Sequence, residues 1–332
     1  QSKRAKNIKK LESEALEYFR IEEYGNALKI LLKIDSLKPD DPHFSYYIGV
    51  SFLKTNNKIK ALQYLDLAKS TNKKPEDLDY YLARAYHLNH DFHEATHYYM
   101  KYLSSRSEET SEKEIARIKR LIETCDNGKK LILEPIDIIV ENLGAAVNSQ
   151  YADYSPLISI DEQTIIFTST RPNTMNQEVD PSTGQFYEDI YIATKGEDGW
   201  SLARNIGPPV NTSGHDAAAG LSPDGLKLIS YKGVDVLFKS EISGDLFISE
   251  YINENWTEPV PIDEGNINSK YWEPSASLPL DESLLYFSSN RPGGFGGTDI
   301  YMSKRLPNGE WARPFNLGPT INTPFNEDAP YI

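Results

Sequence analysis

Residues 189–217 read DIYIATKGEDGWSLARNIGPPVNTSGHDA. The same phrase returns as DLFISEYINENWTEPVPIDEGNINSKYWE at 245–273 and DIYMSKRLPNGEWARPFNLGPTINTPFNEDA at 299–329. Its anchors recur in step: Asp189, Asp245 and Asp299; Trp200, Trp256 and Trp311; Asn211, Asn268 and Asn322. Short strands and turns that repeat every ~40–60 residues point to a β-propeller with one blade per copy. Each unit has four pieces. An opening strand (DYSPLIS, DAAAGLS or EPSASLP) leads through a turn at Asp161, Asp224 or Asp281 to an apolar strand (TIIFTS, LKLISY or LLYFSS). A third strand starts at the recurring Asp, and a last element starts at the Trp. Alternation around Ile166, Leu228 and Leu285 predicts strands packed face to face between blades.

Outward from this core the pattern breaks mid-unit on both sides. NLGAAVN at 142–148 matches NIGPPVN at 205–211 and NLGPTIN at 316–322, so the sheet region opens on the tail of a blade. NEDAPYI at 326–332 matches the opening strand DYSPLIS. The expectation is three full units with a half-blade at each end. That is an incomplete ring with unpaired edges, as in a fragment of a longer protein.

The first hundred residues keep a different period. Ala15, Gly49 and Ala83 are 34 apart, and so are Tyr18, Phe52 and Tyr86, and Ala27, Ala61 and Ala95. Small residues let paired helices approach, while aromatic and leucine side chains fill the space between pairs. This period and pattern resemble the tetratricopeptide repeat, best in ALEYFRIEEYGNALKILLKIDSLKP at 15–39, which ends on Pro39. The third copy lacks the closing proline. The expected organisation is a solenoid of three repeats over 1–107, a capping helix and linker over 108–133, and the propeller region over 134–332. SEKEIARIKRLIETC supplies the cap, with Ile115, Ile118, Leu121 and Ile122 on one face. The following DNGKK reads as its stop, with Asn127-Gly128 in a left-handed turn. The fold class is α+β, multidomain.

Composition narrows the function classes. The 332 residues carry a net charge of −14, which argues against nucleic-acid binding. The one basic run, KRAKNIKK at 3–10, reads as a frayed end. No stretch of 18 or more apolar residues is present. Gln1 in place of Met points to a processed or cut start. The single cysteine, Cys125, excludes an internal disulfide and reads as a half-buried helix residue.

The sheet repeats resemble the WD40-like repeats of the TolB type. LSPDGLKLIS at 221–230 and SSNRPGGFGGTDIYMSK at 288–304 carry the likeness. The first unit holds an insertion where the glycines belong, and the middle unit lacks the Arg-Pro pair. The order of helical repeats then propeller is similar to that of Bacteroidota envelope proteins, in which an OmpA-like peptidoglycan-binding domain often follows. Some members tie type IX secretion or gliding machinery to the cell wall. The resemblance implies a non-enzymatic periplasmic scaffold at the outer membrane, peripheral rather than transmembrane. Its partners would be envelope proteins, such as an outer-membrane β-barrel or a secretion or gliding component. Peptidoglycan would be reached only through a further domain. A propeller hydrolase or carbohydrate-binding protein, and a cytoplasmic adaptor, are the alternatives.

No catalytic, cofactor or metal site is expected. The Ser213, His215 and Asp216 string has no counterpart in the other units. The recurring Asp161, Asp224 and Asp281 fit turn caps, and Asp189, Asp245 and Asp299 fit acceptors that hold blade turns. PGGFGGTD precedes a strand and not a helix, so its glycines read as a positive-φ hairpin. His87, His90, His93 and His97 lack the accompanying carboxylate of a metal motif. Partner binding is instead mapped, through the tetratricopeptide resemblance, onto the groove face of each first helix. Those positions are Glu12, Leu16, Phe19 and Arg20; then Tyr46, Val50 and Leu53; then Tyr80, Arg84 and His87.

Overall fold

Two units divide the chain, Gln1–Val140 with Val179–Gln185, and Glu141–Glu178 with Phe186–Ile332. The computed structural model describes residues 2–55, 57–71, 73–106, 111–172, 178–233, 244–263 and 265–332. The expected domain boundary at 107 and part of the first-blade insertion, 173–177, lie outside the described residues.

The first unit is helical. Three hairpins pair α1 (Ser2–Arg20) with α2 (Tyr24–Leu37), α3 (Pro42–Lys54) with α4 (Ala61–Ala68), and α5 (Leu78–Leu88) with α6 (Phe92–Ser105). A further helix, α7 (Glu112–Leu133), packs on α6. The basic run at 3–10 belongs to α1 and is not a separate tail. The recurring small residues sit where the hairpins close, and Ala15, Ala27, Ala61, Ala83 and Ala95 are all buried. At Gly49 even one added carbon would meet Leu65 Cγ at 2.5 Å. Caps start the helices: Asp41 accepts from the His43 N–H at 2.9 Å, Asp91 from Glu94 at 3.1 Å and Ser111 from Glu114 at 3.2 Å.

The expected stop at DNGKK is corrected. Asn127 and Gly128 are helical, and α7 runs on to Leu133. Gly128 is there for contact and not for a turn, because a Cβ would stand 2.5 Å from Phe92 Cζ. Among the described residues no helix is long and apolar enough to cross a membrane.

Among the described residues the second unit holds three antiparallel sheets, one per sequence repeat. In the first, β1 (Asp153–Ile158), β2 (Thr164–Ser169) and β3 (Asp189–Gly196) run in order, with β4 (Gly199–Trp200) and β5 (Arg204–Asn205) both on β3. In the second, β6 (Asp216–Leu221), β7 (Lys227–Gly233) and β8 (Gly244–Ile252) lead to β9 (Asn255–Trp256) and β10 (Val260–Pro261). The third contains β11 (Ala276–Ser277), β12 (Leu284–Ser289), β13 (Asp299–Lys304) and β14 (Phe315–Asn316).

Alternation decides the packing. Leu228 faces a cluster with Ile166, Ile190 and Ile192 of the first sheet, while neighbouring Ile229 faces one with Leu285, Phe287 and Tyr301 of the third. Each repeated tryptophan packs on an apolar cluster: Trp256 and Trp311 on these two, with Ile166 and Leu285, and Trp200 on a further one with Phe167 and Tyr191. Residues 136–144, at the start of the region expected to open on the tail of a blade, form no strand; Ile139 and Val140 are 87% and 86% exposed. The hairpin reading of PGGFGGTD is corrected in part. Only Gly293 has a positive φ, 93°, whereas a Cβ on Gly296 would meet the Phe325 carbonyl at 1.8 Å.

Candidate functional site

Rings from all three hairpins make a continuous seam in the helical unit. Phe19 of α1 stands edge-on to Tyr24 and Tyr47, with centroids 5.3 and 5.0 Å away. Tyr47 touches Tyr46 at 5.1 Å, Tyr46 meets Tyr81 at 6.3 Å, and Tyr81 meets Tyr80 at 5.3 Å. Edge-to-face geometry of this kind holds rings in fixed orientations. Asp77 lies at the middle of the seam and accepts from the Tyr46 hydroxyl at 2.6 Å. Burial, reinforced by nearby carboxylates including Asp77, raises the Tyr24, Tyr46, Tyr47 and Tyr81 hydroxyls above the usual tyrosine range. They remain neutral donors at physiological pH.

The structure divides the ten groove positions. Glu12, Leu16, Phe19 and Leu53 are half-buried, and Arg20 is exposed, bound to Glu17 at 2.6 Å. Glu12 lies 3.5 Å from His43, whose ring contacts Tyr47. Tyr46 and Val50 are core residues, since α3 is flanked on two sides and has no free face at those positions. The third-repeat positions meet α7. Arg117 donates to the Tyr80 hydroxyl at 2.8 Å and stacks over its ring at 4.9 Å. His87 Nδ1 lies 3.5 Å from Cys125 Sγ, and Arg84 sits beside the Tyr99 hydroxyl. Burial, helped by the Arg84 charge, lowers the His87 pKa, and burial raises the Cys125 thiol. The accessible part of the seam is therefore Phe19, Tyr24, Tyr47 and Tyr81. Of these, sequence reasoning named only Phe19 as a groove residue. The signal for two others was present, because Tyr47 and Tyr81 are themselves 34 apart.

The segment Val179–Gln185 belongs to this helical unit. Asp180 folds it through bonds from Ser182 and Thr183, and its carbonyls cap α2. The Gly25 N–H donates to Ser182 O at 3.0 Å, and Asn26 N–H to Pro181 O at 3.3 Å. These amides have no side-chain cap from Glu23.

In the sheet unit the repeated polar residues serve the backbone. Asn211, Asn268 and Asn322 each bridge the N–H and C=O of one residue on a third strand: Ile190, Leu246 and Ile300, at 2.7–3.0 Å. Asp161, Asp224 and Asp281 accept the amide two residues on, at 3.0, 3.0 and 3.1 Å, as turn caps do. Asp299 accepts from Gly296 at 3.1 Å; the matching turn of Asp245, within 234–243, lies outside the described residues. His215 does not pair with Asp216. Its Nδ1 contacts Glu188, while Asp216 binds Lys232 and Thr212. Burial opposes the Glu188 charge, but the His215 contact outweighs it and lowers the pKa. Among the described residues no three His, Cys, Asp or Glu side chains group as metal ligands.

No family model and no curated protein matches the chain. Among solved structures it is similar to the Sgt2 TPR domain from Aspergillus fumigatus, at 20% identity and TM-score 0.30, covering 43% of this chain and 94% of that one. The Yersinia enterocolitica type III secretion chaperone SycD, solved with a peptide of the translocator YopD, aligns at 16% identity and TM-score 0.31, over 37% and 95%. A prolyl endopeptidase aligns at 12% identity and TM-score 0.31, over 48% of this chain and 21% of that one. These scores are too low to bear on function.

Proposed function

We propose that this protein is a non-enzymatic, protein-binding scaffold of the periplasm, with a tetratricopeptide-type helical unit and a TolB-type propeller unit that is an open part of a ring. The aromatic seam carries this reading. Half-buried Phe19, Tyr24, Tyr47 and Tyr81 combine ring faces, neutral hydroxyls and the Asp77 carboxylate. Such a surface suits an extended peptide that inserts apolar side chains and offers a basic group to Asp77. The compartment and the partner class, outer-membrane proteins of a secretion or gliding complex, rest on the resemblance of the repeats. In the sheet unit the recurrent polar residues are spent on strands and turns, which supports a structural role and not chemistry there.

The test is affinity capture from a Bacteroidota envelope extract with the parent chain and a Phe19→Ala/Tyr47→Ala variant. The parent is expected to retain a defined outer-membrane protein, and the variant to lose it with its helical circular dichroism intact. Equal capture by both would overturn the assignment to the seam.

A further inference from the structure

A departure from pattern in each repeat system meets the other at the start of α2. In the helical repeats Gly25 stands where the later copies, 34 and 68 residues on, have Ile59 and His93. Those two residues are exposed, whereas Gly25 is buried. Closing a hairpin therefore does not call for glycine at this position. In the sheet repeats the first copy runs 18 residues from Arg171 to Asp189, where the third runs 8 from Arg291 to Asp299. Part of the added length is Val179–Gln185, the segment that belongs to the first unit with the helices.

The segment holds its own shape. The Asp180 carboxylate accepts from the Ser182 N–H at 2.8 Å and the Thr183 hydroxyl at 2.9 Å. The Gly184 N–H donates to the Asp180 carbonyl at 2.7 Å, and the Asp180 N–H to the Gln185 carbonyl at 2.8 Å. Against α2 this turn brings the carbonyls of Ser182 and Pro181 to the Gly25 and Asn26 amides, two of the four donors that a helix leaves free at its start. Glu23 supplies no side-chain cap, and its carboxylate accepts from the Asn26 side chain at 2.9 Å. By contrast α6 is capped by its own Asp91. The approach is tight from both sides. A Cβ on Gly25 would stand 2.3 Å from Gly184 N and 2.5 Å from its Cα, and Gly184 has a φ of 72°. The contact with the segment accounts for a glycine that the helical period does not.

We propose that Val179–Gln185 is a built-in strap, a preformed Asp-Pro-Ser-Thr-Gly turn, and that the start of α2 around Gly25 is its docking surface. Tyr24, one residue before the docked glycine, carries the α2 ring of the aromatic seam and stands edge-on to Phe19. Docking fixes one end of the seam. Release leaves the Gly25 and Asn26 amides without acceptors, so the first turn of α2 frays and Tyr24 loosens with it. This goes beyond the protein-binding reading above and does not depend on what the seam binds, so either can fail alone.

Hydrogen exchange of the full chain, read residue by residue in the mass spectrometer, tests the strap without any ligand. Two variants release it from opposite sides. Gly25→Ile places the residue of the second repeat at the contact. Asp180→Ala opens the turn and leaves the helix sequences intact. In the parent the amides of residues 25 and 26 are expected to be protected. Both variants should lose at least about tenfold of that protection, with exchange in α3 and α5 unchanged. Protection kept at residues 25 and 26 in either variant would overturn the proposal, as would amides already unprotected in the parent. So would an equal loss across all three hairpins, because the segment would then be an ordinary part of the helical core and not a strap.

Discussion

The helical and sheet units both repeat, yet they repeat different chemistry. Between hairpins the recurring residues are small and apolar: Ala15, Gly49 and Ala83, or Ala27, Ala61 and Ala95. A helix satisfies its own amides, so contact between helices needs only space. In the sheets the recurring residues are polar: Asn211, Asn268 and Asn322, the turn aspartates, and the acids Asp153, Asp216 and Glu273 that pair with Arg171, Lys232 and Arg291. A short sheet leaves backbone groups at its margins that must find partners, and the repeated side chains are those partners. What a fold repeats in sequence is what its backbone cannot supply.

This contrast can be tested one unit at a time. All four tryptophans lie in the sheet unit, so their fluorescence follows its unfolding, while ellipticity at the helix band follows the hairpins. The largest effect is expected for Asn268→Ala. It strips the partners from the N–H and C=O of buried Leu246 and should cost about 3 kcal/mol in urea unfolding read by tryptophan. An equal loss in the helical signal would break the division. Gly49→Ala should cost less, about 2 kcal/mol, seen in the helical signal, because the added carbon overlaps Leu65. A neutral result would mean that the hairpin can open without penalty.

The smallest effect is a pH slope. The His87 pKa is lowered in the folded protein, so below its ordinary value of ~6.5 the unfolded chain binds the extra proton. Helical stability should fall as pH drops through that window, by less than about 1 kcal/mol given partial exposure. Asp153 behaves differently: burial opposes its charge, but Arg171 and the serines hold its pKa below the usual value. Its stabilisation is present above about pH 3.9 and is lost as pH falls toward the folded value. The helical signal should therefore respond first on acidification. A slope that survives in His87→Gln would assign it to another group.

Sequence legibility follows the same division. TIIFTS and LLYFSS are strands at the predicted residues, and the turn caps at Asp161, Asp224 and Asp281 stand where the pattern put them. Alternation and turn chemistry are local, so neighbours in sequence are enough to read them. The helical face was less legible. Tyr46, Val50 and His87 carried the right spacing for a groove but are covered by the core or by α7, and Asn127-Gly128 looked like a stop yet continues the helix against Phe92.

The sequence by itself determined two repeat systems, their periods, the strand and hairpin order, and the turn residues. Each depends on interactions within a few residues or on a pattern that recurs in step. The tertiary structure alone decided which aromatic rings remain accessible and which partner each acid takes. Those outcomes depend on side chains brought together from distant positions: Arg171 and Val147 are 24 residues apart, and Tyr80 and Arg117 are 37 apart. Periodicity does not encode such distances, because burial and pairing are set by what the neighbouring element presents.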